Sequence, residues 1–136
     1  DRIITHPNND PTKEKEIVGI EKIFYLRGNA KRRLGDFEGA IEDHTRVIEL
    51  DPKNWDGYDG RACDKYNSQD FEGAVEDYSK AIALGPASDV LIHFYTSRGD
   101  ALSSLEDYKS AIEDFSKAIE LNYGDSYAAT VNGTMI

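Results

Sequence analysis

The chain has 136 residues, 39% apolar and 31% charged, with a formal net charge of −10. That charge repels nucleic-acid phosphates and anionic membrane surfaces, so neither is expected as a partner; no apolar run approaches the roughly 20 residues that a membrane-spanning helix needs. Cys63 stands alone, which rules out an internal disulfide and fits a reducing, cytoplasmic setting.

Residues 1–9 read as a tail without signal-peptide character; lacking an initiator Met, the chain reads as a fragment or a processed product. Asp10-Pro11 then couples a capping carboxylate to a first-turn proline, predicting a helix from there to about Leu34. After it comes DFEGAIEDHTRVIEL, residues Asp36 to Leu50, which returns as DFEGAVEDYSKAIAL from Asp70 and as DYKSAIEDFSKAIEL from Asp107. Within each copy the core-type residues follow i, i+3, i+4, i+7, i+10, i+11: Phe37, Ala40, Ile41, His44, Val47 and Ile48 in the first. That spacing is one face of an α-helix. Asp36, Asp70 and Asp107 are placed to cap these helices. Pro52 and Pro86 stop the first two, and Tyr123 takes the proline's place in the third. An internal repeat of this length makes a stacked array rather than one globular core.

A further helix precedes each of these segments, marked by Phe24 and Gly28, Tyr58 and Ala62, then Tyr95 and Gly99. The small residue admits the partner helix and the aromatic fills the space beside it. In the second copy this helix, Trp55 to Asn67, is a poor one, because Gly57 and Gly60 each cost about 1 kcal/mol relative to alanine. It is expected to be the most mobile inner helix, with Gly60 leaving room for something bulky. Before the third copy three extra residues appear; Asp89, Val90 and Leu91 either lengthen the next helix at its start or enlarge a loop. The last stretch, Ser126 to Ile136, is expected to hold a short helix near 126–132 and contains Asn132-Gly133-Thr134, a glycosylation-acceptor pattern relevant only to a secreted chain.

The series Phe24, Gly28, Ala40, His44, Pro52, repeated as Tyr58, Ala62, Ala74, Tyr78, Pro86 and as Tyr95, Gly99, Ala111, Phe115, Tyr123, resembles the tetratricopeptide repeat family over residues 21–125. The resemblance implies an all-α, right-handed α-solenoid of three helix-turn-helix repeats with an extended N-terminal helix and a short C-terminal capping helix. Its parts are a tail and helix extension at residues 1–20, repeats at 21–54, 55–88 and 89–125, and a cap or truncated helix at 126–136, together one domain. The chain departs from the family where a leucine usually stands, carrying Arg27, Arg61 and Arg98, and where a large apolar residue stands, carrying Lys31 and Lys65 before Leu102 conforms.

Asp43, Asp77 and Asp114 each follow the corresponding arginine by 16 residues. Either each pair bridges the two helices of its repeat, or all six are solvated charges. In the family the first helix of each repeat lines a concave groove that commonly takes peptides. Here that stripe holds Lys22, Tyr25, Asn29, Arg32 and Arg33, then Asp59, Cys63 and Tyr66 with Asp56 and Gly60, then His93, Thr96, Asp100 and Ser103. A matching ligand would set a carboxylate near Lys22 and Arg32 and a basic or polar group near Asp59. The family's carboxylate clamp for chaperone C-termini needs Lys and Asn, then Asn, then Lys and Arg. The matching places hold Tyr25, Asn29, Gly60, His93 and Ser97, so a standard clamp is not expected.

No catalytic constellation is visible. His6, His44 and His93 are far apart, His44 standing where Tyr78 and Phe115 stand, and Cys63 is read as an idle thiol. No cofactor or metal is expected. The expected function is a non-catalytic adaptor that binds a partner protein or peptide segment in the groove; the alternative is self-association through the open ends of the array.

Overall fold

The computed structural model describes residues 11–124, with the backbone alone for 11–18. Among them run six helices and no strand: α1 Pro11–Arg33, α2 Phe37–Leu50, α3 Trp55–Asn67, α4 Phe71–Ala83, α5 Ser88–Ser104 and α6 Tyr108–Tyr123. Each helix packs on the next, and α1 also touches α3. The result is an all-α solenoid of three helix pairs. The expected tail, the capping helix near 126–132 and Asn132-Gly133-Thr134 lie outside the described residues.

The starts of α2, α4 and α6 follow from the capping aspartates. Asp36 and Asp70 accept from the backbone N–H of Gly39 and Gly73 at 2.9 Å, and Asp107 from that of Ser110 at 3.3 Å. Such caps contribute about 1 kcal/mol each. α2 stops at Leu50 and α4 at Ala83, ahead of Pro52 and Pro86, and Gly124 at φ +70° follows α6. The three extra residues lengthen a helix: α5 begins at Ser88, whereas the place matching Trp55 is Ile92. In the tight turn inside each repeat, equivalent positions hold Gly35, Gln69 and Glu106 at φ +87°, +72° and +65°.

Small residues bring the two helices of a pair together. Ala40 is fully buried, and so are Ala62, Ala74, Ala81 and Ala101, which cluster with Phe94 and Tyr78. Trp55 packs edge-on against Phe94 at 5.4 Å between ring centres. Gly60 does not leave open space, contrary to the sequence reading. A Cβ there would lie 2.7 Å from the His44 ring, and one on Gly28 would lie 2.6 Å from it. The two glycines clasp the imidazole from either side, so the helix-propensity cost at Gly60 is offset by close packing.

Candidate functional site

What sets the first helices in place is a ladder of ion pairs. Arg27 donates to Asp43 from Nε and Nη2, both at 2.8 Å. Arg61 does the same to Asp77 at 2.9 and 2.8 Å, and Arg98 to Asp114 at 2.7 and 2.8 Å. Each arginine also lies over the aromatic three residues earlier, Phe24, Tyr58 or Tyr95, at 5.4 to 5.9 Å. All three aspartates are buried, and the fork geometry matches two planar groups with two parallel hydrogen bonds. The Arg27 hydrogen bonds hold the Asp43 carboxyl below the usual carboxylate range. Lys31 and Lys65 add second cations, 3.2 Å from Asp43 and 3.0 Å from Asp77. The remaining arm reaches the preceding repeat: Arg61 Nη1 donates to Thr45 at 3.3 Å and Arg98 Nη1 to Ser79 at 3.0 Å.

A second polar network lies between α1, α2 and α3. The fully buried His44 sets Nδ1 2.5 Å from Asp64 Oδ2, and Nε2 3.1 Å from Asn29 Oδ1 and 3.3 Å from the Tyr25 carbonyl. Arg32 donates to the other Asp64 oxygen at 3.0 Å. Two groove residues expected to meet a ligand, Asn29 and Arg32, are therefore bonded inward. The signal was present in the sequence: His44 replaces an aromatic of the other copies, and Asp64 replaces their Ala30 and Ala101. A polar residue on each side of one junction is a compensated pair, whereas either alone would strand a buried polar group.

The other groove residues are distributed as follows. Asp59 accepts from His93 Nε2 at 3.1 Å across the α3–α5 junction. That bond raises the His93 pKa above its usual value. Cys63 Sγ lies 3.4 Å from the Tyr78 hydroxyl, and burial pushes its thiol pKa up, which disfavours the reactive thiolate. Tyr66 packs edge-on against Phe71, and with Tyr78, Ser97 and Asp100 it lines a small hollow of about 100 Å³. Lys22, Arg33, Thr96 and Asp100 are exposed, and Ser103 is half-buried.

Sequence reasoning missed a cleft of about 310 Å³ lined by Glu21, Lys22, Tyr25, Leu26, Val47, Asn54 and Asp56. Glu21 is only 7% exposed and accepts from Asn54 Nδ2 at 2.5 Å. Asn54 in turn caps α3, accepting from the Asp56 N–H at 2.9 Å. Burial, then the neighbouring Asp59 charge, raises the Asp56 carboxyl pKa; burial also raises that of the Tyr25 hydroxyl. Among the described residues no His, Cys, Asp and Glu cluster has the makings of a metal site, and no helix is long and apolar enough to cross a membrane.

The tetratricopeptide repeat family matches residues 21–54 and 92–125. The second such domain of human RPAP3, solved in complex with the HSP70 peptide SGPTIEEVD, is 30% identical. That alignment covers 85% of this chain and 92% of the other, at a TM-score of 0.68. The chain belongs to the tetratricopeptide repeat family. The second repeat domain of Spaghetti (RPAP3), bound to the HSP90 peptide SRMEEVD, is 29% identical over 75% of this chain and 92% of that one, at a TM-score of 0.68. The N-terminal domain of stress-induced protein-1 from C. elegans shares the fold at a TM-score of 0.74, with 22% identity over 85% and 94% of the two chains. A search of curated protein sequences gives no match.

Proposed function

We propose that this repeat array is a non-catalytic adaptor that binds an extended segment of a partner protein along the groove formed by α1, α3 and α5. The observation that carries this reading is the peptide held by similar repeat domains of 29% and 30% identity. The exposed Lys22, Arg33, Thr96 and Asp100 are groups such a segment would meet. The standard chaperone clamp is not the mode, because Tyr25, Gly60 and Ser97 stand where its Lys, Asn and Arg belong, and Asn29 is turned to His44. Fluorescence anisotropy with the SRMEEVD and SGPTIEEVD peptides tests that part. Weak binding that is unchanged by Asn29→Asp supports it, and micromolar binding lost in that variant contradicts it.

A second reading, end-to-end self-association, is favoured by two observations on α6. Ile112 and Ile119 on α6 are 63% and 42% exposed, whereas the matching Val75 and Ile82 pack on the core. Ser116, exposed on α6, matches Thr45 and Ser79, which bond to the arginine of the following repeat. Light scattering across a range of concentrations separates the two readings, because only the second requires mass to rise.

A further inference from the structure

We propose that the cleft between α1 and α3 receives a basic side chain, lysine or arginine, of the partner segment, with Glu21 and Asp56 holding the cation and Tyr25 and Leu26 covering its stem. This rests on the groove reading above and adds the chemistry of one ligand residue.

The cleft exists because the first copy breaks the repeat. Glu21 stands where the later copies carry Trp55 and Ile92. In the second copy the indole packs against Phe94; in the first, a carboxylate leaves the space about 310 Å³ open. That volume is at the small end of ligand sites and suits one side chain better than a whole small molecule.

Among the described residues no cation forms an ion pair with either carboxylate of the cleft. Glu21 is buried, and its known partner is the neutral Asn54 amide, on one oxygen. Among the described residues the second oxygen meets no donor, and the Asp56 carboxylate has no hydrogen-bond or ion-pair partner. Lys22 lines the same cleft and pairs with neither. A buried carboxylate without a cation is costly to the folded chain, and a guanidinium or ammonium supplied by a ligand relieves that cost. The Tyr25 ring and the exposed Leu26 side chain give the apolar and aromatic surface along which the stems of Lys and Arg bury themselves.

The test is a two-dimensional amide NMR titration of the whole 136-residue chain with N-acetyl-arginine methylamide and N-acetyl-lysine methylamide. N-acetyl-norleucine methylamide serves as the uncharged control. Saturable shifts centred on Tyr25, Asn54 and Asp56 are expected with the cationic probes and not with norleucine. Glu21→Gln and Asp56→Asn should each weaken binding roughly tenfold or more, while Glu113→Gln on α6 should change nothing. Glutamine at 21 keeps an acceptor for Asn54, so thermal stability should hold or rise in that variant; a purely structural Glu21 would lower it. Equal shifts with norleucine, shifts spread over all acidic surfaces, or cationic binding unaffected by both variants would overturn the proposal. If a partner segment is captured by the groove while these probes leave the cleft untouched, the cleft assignment fails and the groove reading stands.

Discussion

Removing Asp77 should be far more costly than removing Asp43, although the two occupy the same place in the repeat. Asp77 is fully buried and accepts from Arg61 at 2.9 and 2.8 Å and from Lys65 at 3.0 Å; the two cations are only 16% and 18% exposed at the side chain. Asp77→Ala leaves both positive groups without a counter-charge where water reaches them poorly. Breaking a buried pair from one side costs about 3–5 kcal/mol, a large part of the roughly 5–15 kcal/mol that holds a domain folded. In Asp43→Ala the stranded Arg27 is 57% exposed and rehydrates, so its loss should be much smaller. Asp77→Asn keeps one acceptor and should fall between the native chain and Asp77→Ala. Urea unfolding followed by circular dichroism at fixed pH gives the midpoints of the native chain and the three variants, provided the slope of each transition is unchanged. Equal losses for Asp43→Ala and Asp77→Ala would refute the argument from burial; a neutral Asp77→Ala would refute the structural role of the ladder.

Three further outcomes are expected. Gly28→Ala and Gly60→Ala should each destabilise, by about 1–3 kcal/mol from overpacking, despite alanine's better helix propensity, because the new Cβ meets a His44 ring pinned by Asp64 and Asn29; thermal melts read the sign. Gln69→Gly should stabilise by up to about 1 kcal/mol, since Gln69 holds φ +72° at the place where the first copy uses Gly35 and the left-handed region costs a side-chain-bearing residue about 1–2 kcal/mol; the same melts check it. The pKa of His93 is raised by its bond to Asp59. Its contribution to stability is therefore fully present below the unfolded value of about 6.5 and is lost as pH rises through the higher folded value. With the side chain 51% exposed the effect is small. An NMR titration of the ring should show the raised midpoint returning toward normal in Asp59→Asn.

The fold was legible because three copies state the same helix face and the same capping aspartate, and local periodicity fixes a helix pair without long-range information. The arginine–aspartate spacing was legible for the same reason. What escaped notice were single departures whose meaning is tertiary. His44 reads as a packing residue until Asp64, 20 residues on, is seen to face it. Glu21 drew no reading from the sequence, because only the packing of α1 shows that it lies beside Asn54 and out of water. Gly60 reads as empty space because the sequence does not say that His44 fills it. Lys31 and Lys65 read as breaches of the apolar pattern, yet each carries its ammonium to the ladder aspartate of its own repeat. For His44 and Asp64 the clue is a position where one copy differs from its siblings, and the partner is a second such position.

The most direct test of the groove claim is site-specific photo-crosslinking in a lysate of the source cells. A photoreactive amino acid at Thr96, exposed on α5, is compared with one at Glu113, exposed on α6. The adaptor reading predicts that position 96 captures one recurrent partner segment, displaced by excess unlabelled chain, while position 113 captures none. Capture of that same partner from position 113 and not from 96 would contradict it.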